Sequence, residues 1–244
     1  MSPAMDPGAI CIIIPTYENA RTIADVVRRA ALAVGDVIVV DDGSTDGTAG
    51  IIRGISGIEV ITHPKNRGKG AALRSGFRRA LERGHEWAVT VDADGQHDPG
   101  EIPRLVQAIR ERPRAIIVGA RGMRAGGAPM RCRAGLALSN ILVRILAGKR
   151  LPDSQSGFRA YPLREVLALG LRARGFELEV EVLLKAAWAG VEIRHVPVSV
   201  RYPGRRSERG SHFRPVRDTV RILLSSLRAA ITQAAGRGRA LAGG

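Results

Sequence analysis

Short apolar runs alternate with segments of helical period through the first half of the chain, and this alternation constrains the fold more than any other feature. Residues 10–14, 37–40, 58–62, 87–91 and 115–119 are apolar, β-branched-rich and too short for helices, so they predict strands. Between the first two, Ile23, Val26, Val27, Ala30 and Val34 recur at helical spacing within residues 20–34. Further helices are predicted from about Asp46, over residues 70–83, and from Asp98. At that last position Asp98-Pro99-Gly100-Glu101 reads as an N-cap, a first-position proline and a capping-box glutamate. Strands that alternate with helices build an α/β fold: a mainly parallel central sheet in a three-layer α/β/α sandwich. Ligands of such sheets bind beyond the carboxyl ends of the strands.

The second half is less regular. Helices are predicted over residues 133–147 and 176–189, and strands over 156–161 and 192–200. From Arg214 onward Val216, Val220, Leu223, Leu227, Ile231 and Ala234 form an amphipathic stripe, with Arg217, Arg221 and Arg228 beside it. The expected division is a domain over 8–213, a basic helix over 214–235 and a disordered Gly/Ala/Arg-rich tail over 236–244.

Among the 244 residues, 38 Lys and Arg against 23 Asp and Glu give a net charge of +15, which calls for a polyanionic partner. Aromatic residues make up only 4%, and no helix-turn-helix or zinc pattern is present, which argues against nucleic acid. Cys11 and Cys132 are too few for a metal cluster or a disulfide scaffold. No signal-peptide pattern and no bilayer-spanning run is read. The expected location is therefore cytoplasmic, peripheral on the inner face of the cell membrane. A basic amphipathic helix suits such an anionic membrane surface.

Three strands run directly into polar, acidic segments: Thr16-Tyr17-Glu18-Asn19, Asp41-Asp42-Gly43-Ser44-Thr45-Asp46-Gly47 and Asp92-Ala93-Asp94-Gly95-Gln96-His97. Any one of these suits a turn, but three acidic ends on one sheet edge indicate a site. Asp92 and Asp94 repel each other unless a cation neutralises them, and carboxylates suit a hard divalent ion such as Mg²⁺ or Mn²⁺.

The ordered series I-I-I-P-T-Y-E-N (12–19), V-I-V-V-D-D-G-S-T-D-G-T (37–48), N-R-G-K-G-A-A-L (66–73), V-D-A-D-G-Q-H (91–97) and S-G-F-R-A-Y (156–161) resembles family 2 glycosyltransferases of the GT-A fold. The resemblance is strongest to the subgroup that includes dolichyl-phosphate mannose synthases and bacterial polyprenyl-phosphate sugar transferases. It implies that Pro15, Thr16, Glu18, Asp42, Lys69 and Asp92 surround the nucleotide of a GDP- or UDP-sugar donor. It further implies that Asp92, Asp94 and Gln96 hold a metal bridging the donor diphosphate, that His212 is a late metal or phosphate ligand, and that transfer inverts the anomeric centre.

On the acceptor side, Arg121, Arg131 and Arg133 follow the fifth strand, Ser156 and Gly157 offer hydroxyl and backbone donors, and Arg201 and Arg214 lie in a second basic group. Arginine matches phosphate oxygens bidentately, so a polyprenyl-phosphate or other lipid-linked acceptor is expected. Such a nucleophile is already ionised and needs no base. A soluble hydroxyl acceptor would need one, for which Asp153 and Glu177 or Glu179 are the candidates, with Asp153 and Glu177 expected to face the site. In a third reading the chain is a non-catalytic nucleotide-sugar-binding membrane adaptor.

Overall fold

The computed structural model describes residues 9–121, 140–148, 153–200 and 215–242. The elements follow in the order β1 (Ile10–Thr16), α1 (Ile23–Ala33), β2 (Val37–Asp41), α2 (Thr48–Arg53), β3 (Glu59–Thr62), α3 (Lys69–Glu82), β4 (Trp87–Thr90), α4 (Ile102–Glu111) and β5 (Ile116–Arg121). A helical segment α5 (140–147) comes next. Then come β6 (Arg159–Pro162), α6 (Leu163–Ala168), α7 (Glu177–Trp188), β7 (Ile193–Val198) and α8 (Pro215–Ala242).

β1 is buried along its whole length because both faces of the sheet are covered. Cys11 and Ile13 point to one side, where α3 and α7 supply Ala72, Phe77, Leu178 and Val182. Ile10, Ile12 and Ile14 point to the other, where α1 and α4 supply Ile23, Val27, Leu105 and Ile109. Two cores separated by one sheet make the three-layer arrangement that the alternation predicts.

The strand order is β3-β2-β1-β4-β6-β5-β7. All neighbouring pairs are parallel except those of β6, which runs antiparallel to both β4 and β5. The order reverses at β1, whose neighbours β2 and β4 both run parallel to it. A crevice forms at such a switch point. It opens between the ends of β1, β2 and β4, where all three acidic segments lie. Because β6 is antiparallel, it starts at that same edge, with Arg159 opposite Thr90.

Two local expectations are corrected. Asp98 does cap its turn, accepting the Gly100 amide at 2.8 Å. Glu101 does not close a capping box, however; it reaches across to accept the Ser199 amide at 2.9 Å, pinning the end of the last strand. The C-terminal helix also continues to Ala242, across the glycine-rich positions for which disorder is expected. Its expected apolar stripe is not what packs inward. Ile222 is 1% exposed and Ser226 3%, whereas Val220, Leu227 and Ile231 are 48%, 50% and 62% exposed.

Arg159 is the largest fully buried side chain. Its guanidinium donates to three carbonyls: Nε to Ser156 at 2.6 Å, one Nη to Glu179 at 2.6 Å and the other to Ser154 at 2.8 Å. It thereby ties the segment entering β6 to α7. Arg159→Met keeps the aliphatic stem but orphans those acceptors, and is expected to cost on the order of 3 kcal/mol. Urea denaturation measures this. A midpoint equal to wild type would show that the carbonyls find other donors.

Candidate active site

One cavity of about 320 Å³ opens at the carboxyl ends of β1, β2 and β4. Its wall is built from Pro15, Thr16, Tyr17 and Asn19 after β1, Asp42 after β2, Asn66, Gly68 and Lys69 at the start of α3, and Asp92, Ala93 and Asp94 after β4. Gly175, Phe176 and Glu177 at the start of α7 close another side, and Arg217, Asp218 and Arg221 of α8 complete the rim. Of the sequence-predicted residues, the fold therefore gathers Pro15, Thr16, Asp42, Lys69, Asp92, Asp94 and Glu177 into one space.

The loops after β1 and β2 are knitted together by side chains that favour turns. The Glu18 amide donates to Ser44 Oγ at 2.9 Å, and Thr45 Oγ1 donates to the Glu18 carboxylate at 3.1 Å. Glu18 takes a positive φ of 52°, so its side chain supports this junction and does not line the cavity. Asp42 is held still more tightly. Its carboxylate accepts the Arg67 amide at 3.0 Å and the Gly68 amide at 2.7 Å, and lies 2.6 Å from His63 Nδ1. His63 Nε2 is in turn 3.0 Å from Ser75 Oγ. A buried carboxylate so fully bonded is held in one orientation.

Lys69 is the first residue of α3, yet its ammonium reaches across the floor of the cavity. It lies 2.6 Å from Asp92 Oδ1 and 2.7 Å from Glu179 Oε1. Its role is thus to hold two acidic side chains from different elements. Burial disfavours its charge, but the two carboxylates outweigh that and raise its pKa. Asp92 shows the converse: burial alone would raise its carboxyl, and Lys69, with His97 and Arg159 behind it, holds it below the usual range. Glu179 is raised, because burial exceeds what Lys69 returns.

Asp94 differs. Burial and the neighbouring Asp92 push its carboxyl up to about 7, and the Gln96 amide, donating at 3.0 Å, only partly offsets them. Two carboxylates therefore share a pocket, one of them bonded to an ammonium and the other destabilised as an anion. That donor set fits a hard divalent cation, which would displace the proton of Asp94 and relieve the repulsion. Among the described residues no group of three or more His, Cys, Asp or Glu could hold a metal, so donor-phosphate oxygens and water would have to complete its shell.

Several expectations are not met as stated. Asp153 is 1% exposed and does not line the cavity; its carboxylate accepts the Gln155 amide at 3.2 Å, within the turn leading to β6. Of the two candidate bases only Glu177 faces the space, with its carboxylate accepting the Gly175 amide at 3.1 Å. Ser156 is buried, and its hydroxyl accepts the Phe158 amide at 3.3 Å. Gly157 leaves no room for a side chain beside Asp92 and Lys69, so its part is steric. Gln96 meets Asp94 through its amide, and its side chain is not on the cavity wall. Arg121 ends β5 at the catalytic edge, while Arg131, Arg133, Arg201, His212 and Arg214 lie outside the described residues.

Sequence reasoning missed Arg159 and the pairing of Glu179 with Lys69; it offers Glu179 as an alternative to Glu177 and puts Arg217 and Arg221 beside the C-terminal stripe without locating any of them at the cavity. Glu179 sits in Phe176-Glu177-Leu178-Glu179, where helical spacing favours Glu177 and Glu181 as one face. Glu181 instead accepts the Ala173 amide at 2.8 Å and pairs with Lys185 at 2.8 Å, a structural assignment. Arg217 and Arg221, one turn apart, carried a legible signal, but nothing in the sequence placed their helix on the cavity.

Known proteins resemble this chain in sequence and in fold. The sequence profile described as glycosyl transferase family 2 matches residues 11–155. An undecaprenyl-phosphate mannosyltransferase from Micrococcus luteus is 32% identical over 202 residues, covering 78% of this chain and 82% of that protein. A UDP-N-acetylglucosamine–dolichyl-phosphate N-acetylglucosaminyltransferase from Methanococcus voltae is 31% identical over 225 residues, covering 83% of this chain and 90% of the other. Among solved structures, glucosyl-3-phosphoglycerate synthase from Mycobacterium tuberculosis, crystallised with Mn²⁺, UDP and glucosyl-3-phosphoglycerate, superposes with a TM-score of 0.67. At 19% identity, over 94% of this chain and 85% of that one, this likeness concerns the GT-A fold.

Proposed function

The chain belongs to glycosyl transferase family 2 and is a glycosyltransferase, and from that premise we propose that it moves a sugar, with inversion, from a nucleoside-diphosphate donor to a polyprenyl phosphate. The observation that carries this reading is the pairing in one cavity of the Asp92–Asp94 dyad with an arginine rim from α8. The dyad suits a donor diphosphate carrying a divalent ion, and the rim suits a second, separate phosphate. The names of the two relatives, both prenyl-phosphate sugar transferases, support the same acceptor class.

In this reading Asp42, locked by His63 and two backbone amides, presents a fixed acceptor to the base of the donor, and Thr16 and Tyr17 flank it. Asp94, with Asp92 and the Gln96 backbone beside it, would hold Mg²⁺ or Mn²⁺. The cation supplies charge neutralisation for the departing nucleoside diphosphate. Lys69 keeps Asp92 in place and adds positive charge to the cavity floor. Arg217 and Arg221 orient the acceptor, whose ionised phosphate attacks without a base. A hydroxyl acceptor remains the second reading, favoured by one observation: Glu177 lines the cavity with a carboxylate able to take a proton.

Among the described residues no helix is long and apolar enough to cross a membrane. Contact with the lipid is proposed at an anionic membrane surface, which the Arg217, Arg221 and Arg228 side of α8 suits. The test is nucleotide release from a panel of UDP- and GDP-sugars, with Mn²⁺ or Mg²⁺, with and without prenyl phosphate. Release from one donor, stimulated at least tenfold by the lipid, is expected. Stimulation by a sugar hydroxyl, abolished in Glu177→Gln and absent with the lipid, would establish the second reading.

A further inference from the structure

α8 presents three different faces, and their order around the helix carries information. At about 100° per residue, Thr219, Ile222 and Ser226 fall together and face the protein, each 8% exposed or less. Arg217, Arg221 and Arg228 fall within about 40° of one another. Val220, Leu224, Leu227 and Ile231 fall within about 60° and directly adjoin the arginines. These four apolar side chains are 48%, 52%, 50% and 62% exposed. Arg217 and Arg221 are exposed too, yet they line the catalytic cavity together with the inward-facing Asp218. A cationic strip thus runs between the cavity and an uncovered apolar strip, and the apolar strip is about 16 Å long.

We infer that α8 is the seat of the acceptor: Arg217 and Arg221 hold its phosphate at the cavity mouth, and Val220, Leu224, Leu227 and Ile231 carry the first isoprene units of its chain. The inference rests on the prenyl-phosphate reading above and says where that substrate lies. Four large apolar side chains in one exposed strip mark a contact surface. The occupant must join an anion to a hydrocarbon in one molecule, with the anion at the cavity end, and a prenyl phosphate does so. A second copy of the chain is disfavoured, since two molecules at +15 would oppose arginine strip to arginine strip.

The test compares undecaprenyl phosphate with dimethylallyl phosphate, which has a single isoprene unit, at one detergent concentration, using exposed-residue variants that leave the core intact. Leu224→Ser/Leu227→Ser is expected to raise KM for undecaprenyl phosphate about tenfold, equivalent to about 1.4 kcal/mol. KM for dimethylallyl phosphate, too short to run along the strip, KM for the donor and kcat should stay at wild-type values. Arg217→Gln/Arg221→Gln is expected to raise KM for both lipids alike and to leave donor KM unchanged.

An unchanged long-to-short ratio in the leucine variant overturns the assignment of the apolar strip, and an arginine variant that moves donor KM alone gives those residues to the donor. If the leucine effect appears on vesicles but vanishes in micelles, the strip docks on the bilayer and the chain contact is wrong. Wild-type protein that turns over neither lipid overturns the acceptor reading itself, an outcome distinct from turnover with a constant ratio.

Discussion

Asp94→Asn is expected to lower kcat/KM by about 10³-fold and to abolish the response to added Mn²⁺. The substitution keeps the volume of the side chain and an oxygen able to accept the Gln96 amide, so the turn after β4 stays formed. What it removes is the negative charge. Lys69 brings one positive charge to the two carboxylates it bonds, Asp92 and Glu179, so negative charge remains for a divalent cation to neutralise, and Asp94, whose carboxyl burial and Asp92 push up to about 7, is the carboxylate Lys69 does not bond. Calorimetry with UDP or GDP separates the parts of the claim. Nucleotide binding in the presence of chelator should match wild type, and the gain in affinity on adding Mn²⁺ should be lost. Turnover within tenfold of wild type, still dependent on Mn²⁺, would remove Asp94 from the metal site.

Gly157→Ala is the second large effect, and it acts without touching any polar atom by chemistry. A methyl group there would stand 2.3 Å from Asp92 Oδ2 and 2.7 Å from Lys69 Nζ, distances that real Cβ atoms do not tolerate. Something must shift. The backbone of Gly157 is anchored, since Thr90 Oγ1 donates to its carbonyl at 2.7 Å. The Asp92 carboxylate and the Lys69 ammonium are therefore what move, and the ion pair at the floor of the cavity opens. Metal-dependent nucleotide affinity is expected to fall about 100-fold, on the scale of losing one positioned charged group, with melting temperature reduced as well. Titration of Mn²⁺–nucleotide binding checks this. Affinity equal to wild type would mean that Asp92 needs no fixed position.

The parallel core was legible because a strand covered on both faces is apolar throughout, and five such runs separated by helical periods leave little choice of architecture. The carboxyl-edge residues were legible for a related reason: Thr16, Asp42, Asp92 and Asp94 all follow a buried strand directly, so the end of the apolar run marks their location. What followed longer excursions was not. Arg159 looks in sequence like a charge in a short strand, and only the antiparallel placement of β6 reveals it as a buried clamp on Glu179 and Ser154. Asp153, two residues before Gln155 in a polar turn, has the composition of a site residue, but it is buried off the cavity wall and accepts the Gln155 amide. The amphipathic stripe of α8 was read correctly as periodic. Its direction depends on α8 packing against α7 with Ile222 buried in the core, which no periodicity encodes.

The antiparallel strand β6 has a further consequence for how this enzyme can diversify. β5 leaves the sheet at the catalytic edge and β6 re-enters there, with Val118 opposite Arg159. The whole excursion between them is therefore anchored at both ends beside the reaction centre. A change in length within that stretch would enter and leave at one sheet edge, so it need not shift the register of β5 or β6. In an all-parallel sheet the same change would fall within a crossover and strain the layers around it. The exception is α5, whose Val143 is buried in the core and fixes the middle of the excursion to the sheet.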